Sequence, residues 1–122
     1  MFPDVNSTFS KEQYQNNLKR QSILVSTPKI NVVTLKEVFE KYISKNTQID
    51  LLSVDTEGHD LEVLKSNDWR KYRPTVICTE IQSTISLHQY LIKLGYKLVT
   101  KTPINCLYVE KNSPILSRPT AI

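Results

Sequence analysis

IDLLSVDTEGHDLEVL, residues 49–64, decides how this chain is organised. Ile49, Leu51, Leu52 and Val54 form a nearly continuous apolar run. A strand with one wet face alternates, so an unbroken run marks a strand covered on both faces, as in parallel sheets. The run stops abruptly at Asp55-Thr56-Glu57-Gly58-His59-Asp60, after which Leu61, Leu64 and Trp69 continue as a short helix.

Downstream, Pro74 blocks the helix, and TVICTEI, residues 75–81, reads as a second buried strand that turns polar at Glu80. Residues 86–94 carry Leu87, Leu91 and Leu94 on one helical face with Tyr90 beside them, and Gly95 stands at the expected C-cap. A strand over 96–101, a turn at Thr102-Pro103-Ile104 and a returning strand over 106–109 follow. Upstream, Ile30, Val32 and Val33 suggest a short strand. Thr34 and Glu37 form a capping box for an amphipathic helix that presents Leu35, Val38, Phe39, Tyr42 and Ile43 and runs to about Ser44. A weakly anchored helix over 10–21, with a capping box at Ser10 and Gln13, precedes a connector at 22–28.

The order strand–helix–strand–helix–strand–helix–strand–strand predicts an α/β fold. Its sheet is expected to be mostly parallel, with right-handed crossovers, and to finish in an antiparallel hairpin. The expected division is 1–28 as N-terminal helix and connector, 29–111 as the folded domain and 112–122 as a loose tail.

Composition sets the limits. With 122 residues, 39% hydrophobic and 23% charged, the chain is a single globular domain at most. No apolar run approaches the ~20 residues of a membrane helix. The opening MFPDVNSTFS lacks the basic and apolar regions of a signal peptide, which points to the cytoplasm. The net charge of +4 is spread, and the clusters Lys19-Arg20 and Arg70-Lys71 with Arg73 are too short for a nucleic-acid arm; they read as a solvated face. Cys78 and Cys106 sit in strand-like runs without metal-ligand spacing, and read as free buried thiols. Only two glycines occur, Gly58 and Gly95, so no glycine-rich phosphate or dinucleotide loop exists in this chain.

Ligands of open α/β sheets bind at the carboxyl ends of the strands, where both buried strands here end in acids, Asp55 and Glu80. Asp55 and Glu57 lie two residues apart, Gly58 permits a sharp turn or close approach, and His59 adds an imidazole, the side-chain type suited to proton exchange. This set of groups suits orienting a hydroxyl, accepting its proton or holding a divalent cation. Against it stands helix capping: acids in a first turn satisfy N–H donors. For Glu57 the two readings balance. Asp60 reads as a first-turn acid, His59 as an exposed side chain and Asn105 as turn chemistry. Glu80 reads as functional, because an acid interrupting a buried strand requires a partner or a purpose.

IDLLSVDTEGHDLEVLKSNDW, RPTVICTEI, LGYKLV and NCLYVEK together resemble the C-terminal half of FkbM-type methyltransferases, and VVTLKEVFEKY is similar to that family's lead-in. The resemblance covers residues 30–111, with Ser7-Thr8-Phe9 a weaker match. It implies a partial Rossmann-like, class I methyltransferase sheet and S-adenosylmethionine-dependent O-methyl transfer to a small-molecule or glycan hydroxyl. By the same resemblance Asp55, Thr56, Glu57, Gly58 and His59 line the cofactor's methyl end, and Asp55, Glu57 and Glu80 are the catalytic candidates. Asp60 stands where the family usually shows Glu. By this resemblance the main cofactor-holding half, with its glycine-rich turn and ribose-binding acid, is expected to be absent from these residues. A truncated or split enzyme, inactive alone and completed by a complementary N-terminal half, is therefore expected.

Two other readings stand beside it. Asp55-Thr56-Glu57 resembles the D-x-E of two-metal exonucleases, yet those need further Asp residues downstream, and none follows Asp68. A non-enzymatic remnant or interaction module is the other. Half a parallel sheet would leave the 49–55 strand at an exposed edge prone to self-association.

Overall fold

A computed structural model describes residues 11–20, 26–81 and 85–117. It has helices α1 (Lys11–Lys19) and α2 (Leu35–Tyr42), strand β1 (Leu51–Val54), helix α3 (Asp60–Lys65), strand β2 (Val76–Glu80), helix α4 (Ile85–Lys93) and strands β3 (Tyr96–Lys101) and β4 (Asn105–Glu110), then a 3-10 turn at Pro114–Ser117. The fold is mixed α/β around one four-stranded sheet of order β1-β2-β4-β3.

The expectation of a mostly parallel sheet is corrected. Only β1 and β2 are parallel; β4 is antiparallel to both β2 and β3. The hairpin itself forms as expected, closed by Thr102, whose N–H donates to the Asn105 carbonyl at 2.8 Å and whose Oγ1 accepts from Asn105 N–H at 2.8 Å. The returning strand inserts between β2 and β3 instead of lying outside them, so two of the three pairings become antiparallel. Its sequence permits this: Cys106, Tyr108 and Val109 are all buried, as a central strand requires.

Strand alternation gives the sheet two unlike faces. Val54, Ile77, Cys106, Tyr108 and Tyr96 join Leu64 of α3 and Leu87 and Leu91 of α4 in one core. Trp69, expected to extend α3, lies beyond its end at Ser66. Its indole N–H is shared between the Leu64 carbonyl (3.0 Å) and the Tyr90 hydroxyl (2.9 Å), which seats the ring against α4. On the outer face Leu51 and Ser53 are exposed, and Val76, Cys78 and Leu107 are half-buried. The expectation that β1 is covered on both faces is corrected accordingly: it is an edge strand, and Leu51 is 59% exposed. Cys78 and Cys106 are free; Cys106 pairs in register with Thr79, so the two thiols point to opposite faces of the sheet.

α2 starts with the expected capping box: Thr34 N–H donates to Glu37 Oε2 at 2.7 Å, and Glu37 N–H donates to Thr34 Oγ1 at 3.2 Å. Of its apolar face only Phe39 is buried, tilted against Tyr72 at 5.2 Å between ring centres. The expected strand at Ile30, Val32 and Val33 does not form; these residues have no ladder partner and are exposed. α1 leaves Tyr14 and Leu18 exposed, in keeping with its thin apolar face; its expected cap at Ser10 lies outside the described residues. Residues Pro114–Ser117 form a 3-10 turn, and Ser113 just before it is buried. No helix among the described residues is long and apolar enough to cross a membrane.

Candidate functional site

Because β1 and β2 are parallel neighbours, their carboxyl ends lie side by side and bring the Asp55–Asp60 turn next to Glu80. The turn owes its shape to two consecutive residues with positive φ, Glu57 (51°) and Gly58 (102°). The left-handed region costs a non-glycine residue about 1–2 kcal/mol, so Glu57 needs external support to stay there.

Asp60 supplies that support. Its side chain is buried, with Oδ1 accepting from Thr56 N–H (2.9 Å) and Thr56 Oγ1 (2.7 Å), and Oδ2 accepting from the backbone N–H of Glu80 (3.3 Å). One carboxylate thus ties both ends of the β1–α3 turn to the end of β2. Asp60 is a first-turn acid of α3, as expected, but the N-cap position is His59 and it makes no side-chain cap bond, so the carboxylate is used on the turn and β2. Spacing alone hides this role: Thr56 and Asp60 are four residues apart, but the Glu80 contact exists only once the strands are adjacent.

Asp55 is exposed, Thr56, Glu57 and His59 are partly exposed, and Glu80 is half-buried. Burial is the main cause that raises the pKa of Glu80 above the ordinary carboxyl value, followed by the negative charges of Glu57, Asp55 and Asp60. A raised pKa makes a carboxylate a better proton acceptor than an ordinary one. His59 Nδ1 is 3.9 Å from Glu62 Oε2, while its Nε2 is buried and has no partner among the described residues. Thr79 Oγ1, just beneath Glu80 on the inner face, is likewise buried without one. Among the described residues no three His, Cys, Asp or Glu side chains are arranged to hold a metal ion. Asn105 closes the hairpin turn through its backbone, as turn chemistry requires.

Arg70 and Lys71 are exposed, as a solvated face requires, and only Arg73 of this cluster is half-buried. Arg73 pairs with Glu110 (3.0 Å), donates to the Leu94 carbonyl (2.9 Å) and lies over the Tyr96 ring, while Lys71 pairs with Glu40 (3.2 Å). A shallow polar cleft lined by Thr47, Gln48, Arg70, Lys71 and Arg73 opens at the amino ends of β1 and β2, the end of the sheet opposite the acids.

The model of the methyltransferase FkbM domain matches residues 3–98. No curated protein and no solved structure matches the chain.

Proposed function

The chain belongs to the methyltransferase FkbM domain family, and on that premise we propose that it carries the acceptor end of an S-adenosylmethionine-dependent O-methyltransferase site. The supporting observation is the convergence of Asp55, Glu57 and Glu80 at the carboxyl ends of adjacent parallel strands, with Glu80 made more basic by burial and by its neighbours. The cofactor supplies an electrophilic methyl group on a cationic sulfur when bound, and a ring of carboxylates suits that charge.

In this reading Glu80 accepts the proton of a hydroxyl acceptor, and Asp55 and Glu57 line the methyl end of the cofactor and orient the oxygen. Thr56, Gly58 and His59 complete the turn around it. Asp60 acts through the others by holding Glu57 and the end of β2. The rest of the cofactor finds no cradle in these residues. Gly95, the one glycine outside the turn, is used at the end of α4 with φ 91°, and no glycine-rich loop exists to receive a nucleotide. The chain is therefore read as the C-terminal half of a Rossmann-like domain, inactive until a complementary N-terminal half is supplied. The acceptor is a small molecule or glycan carrying a hydroxyl.

Calorimetric titration of S-adenosylmethionine into the chain, shown by circular dichroism to be folded, tests this. No micromolar binding is expected alone. Binding and methyl transfer are expected on adding the N-terminal half of a family member, with transfer lost in Glu80→Gln. Micromolar binding by the chain alone would sink the split reading; failure of any half to restore binding would sink the methyl-transfer one. A second reading, an interaction module without catalysis, is supported by the unpaired edge of β1 and its exposed Leu51.

A further inference from the structure

Among the described residues β1 is an edge strand, so one row of its backbone donors and acceptors has no ladder partner there, the feature that invites strand addition. A second unsatisfied element is the segment 29–33, which lies outside every described helix and strand. None of its backbone groups bonds to another backbone group among the described residues, and Ile30, Val32 and Val33 are 54%, 82% and 59% exposed. Three large β-branched side chains in water are of the kind that favours a strand, yet here they have no sheet to join.

The two elements match in one register. Aligned antiparallel, Lys29 falls opposite Asp55, Ile30 opposite Val54, Asn31 opposite Ser53, Val32 opposite Leu52, Val33 opposite Leu51 and Thr34 opposite Asp50. All six pairs agree in character: one ion pair, two polar pairs and three apolar pairs. Val33 would cover the exposed Leu51 on the outer face, and Val32 would extend the helix-covered face beside Leu52. A parallel alignment that sets Lys29 beside Asp50 puts Asn31 against Leu52 and Val32 against Ser53. Pairing β1 with its own copy, antiparallel about the strand centre, sets Asp50 against Asp55 twice, and like charges directly opposite are destabilising.

Within one chain the segment does not use this edge. Thr34 caps α2, and the start of α2 is fastened to Ser66 at the end of α3 by Leu35 N–H to Ser66 Oγ (2.9 Å) and Lys36 N–H to the Ser66 carbonyl (3.4 Å). We propose that two copies of this chain exchange their 29–34 segments, each adding an antiparallel strand to the other's β1 edge in the register above. The exchange is reciprocal, so it closes into a two-fold dimer instead of propagating.

Sedimentation equilibrium over a concentration series reads this directly. The wild-type mass is expected to rise towards twice the 14.1 kDa of the monomer. Val32→Asp, at a position exposed in the single chain, is expected to weaken association by at least about tenfold with an unchanged circular dichroism spectrum. Lys29→Glu is expected to weaken it as well, and adding Asp55→Lys to that variant to restore it, since only this register sets those two residues opposite one another. A wild-type chain monomeric at every concentration would overturn the proposal, as would a dimer indifferent to Val32→Asp. So would concentration-independent protection from hydrogen exchange of those β1 amides that do not bond to β2, the sign of a segment paired within its own chain.

Discussion

Replacing Asp60 by alanine should loosen the whole acidic turn, and its cost can be worked from three hydrogen bonds. Two are short, from Thr56 N–H at 2.9 Å and Thr56 Oγ1 at 2.7 Å, and one is long, from Glu80 N–H at 3.3 Å. Hydrogen bonds to a charged group contribute about 1.5–3 kcal/mol each, and alanine also removes the acceptor that two backbone donors use. The long bond counts for less. Removing a negative charge from beside Glu80, Glu57 and Asp55 returns part of the loss, so a net destabilisation of about 2–4 kcal/mol is expected. For a domain of this size that lowers the midpoint of thermal unfolding by on the order of 10 °C. Asp60→Asn separates the contributions. Its oxygen can still accept from Thr56, but its amide must face the Glu80 N–H donor-to-donor, and a loss of about 1–2 kcal/mol is expected. Urea unfolding followed by the fluorescence of Trp69, the single tryptophan, measures both. A loss below about 0.5 kcal/mol for Asp60→Ala, or a larger loss for Asn than for Ala, would refute the claim that this carboxylate ties the turn to β2.

The pKa of Glu80 lies above the ordinary carboxyl value, from burial first and from Glu57, Asp55 and Asp60 after it. Its contribution therefore favours folding fully below the unfolded-state pKa and is lost as pH rises through the folded-state pKa. In a carboxyl-carbon NMR titration Glu57→Gln should lower the Glu80 midpoint without abolishing the shift, and an unmoved midpoint would contradict the placement of Glu57. Tyr96→Phe removes the 2.7 Å bond from the buried Tyr96 hydroxyl to the Pro74 carbonyl. It should cost about 1–2 kcal/mol in urea unfolding, and a neutral result would mean that water or another donor reaches that carbonyl. Gly95 has φ 91° and room for a Cβ, with Arg73 Nη2 at 3.8 Å. Gly95→Ala should thus cost only the left-handed strain, about 1–2 kcal/mol, and a much larger loss would point to a clash that the geometry does not contain.

Local chemistry settled the helices and the turn between β3 and β4. The Thr34–Glu37 box, the apolar period of α4, Gly95 at its end and Thr102-Pro103-Ile104 each act within a few residues, so their outcome is legible from spacing. The candidate site was legible in the same measure: Asp55, Glu57 and Glu80 stand at strand ends, and the pattern that marks the strands also marks where they stop. The role of Asp60 was not legible, because a first-turn acid and a clasp between two strands carry the same letter at the same spacing. The structure distinguishes them by setting Glu80 N–H beside it.

Tertiary structure alone decided strand order and exposure. An apolar run such as residues 49–54 states that a strand favours burial, not which neighbours are present to bury it; here one edge has none, and Leu51 lies open. The same holds for Ile30, Val32 and Val33, whose β-branched side chains favour extended backbone but which have no ladder partner among the described residues. The insertion of β4 between β2 and β3 likewise rests on pairings between residues some 30 positions apart, Val76 with Val109 and Ile77 with Tyr108. Propensity and periodicity are properties of neighbours along the chain and were determined by the sequence directly. Register, sheet order and the meeting of Glu80 with Asp60 are properties of neighbours in space, decided only when the core formed by Leu64, Ile77, Leu91 and Tyr96 closed.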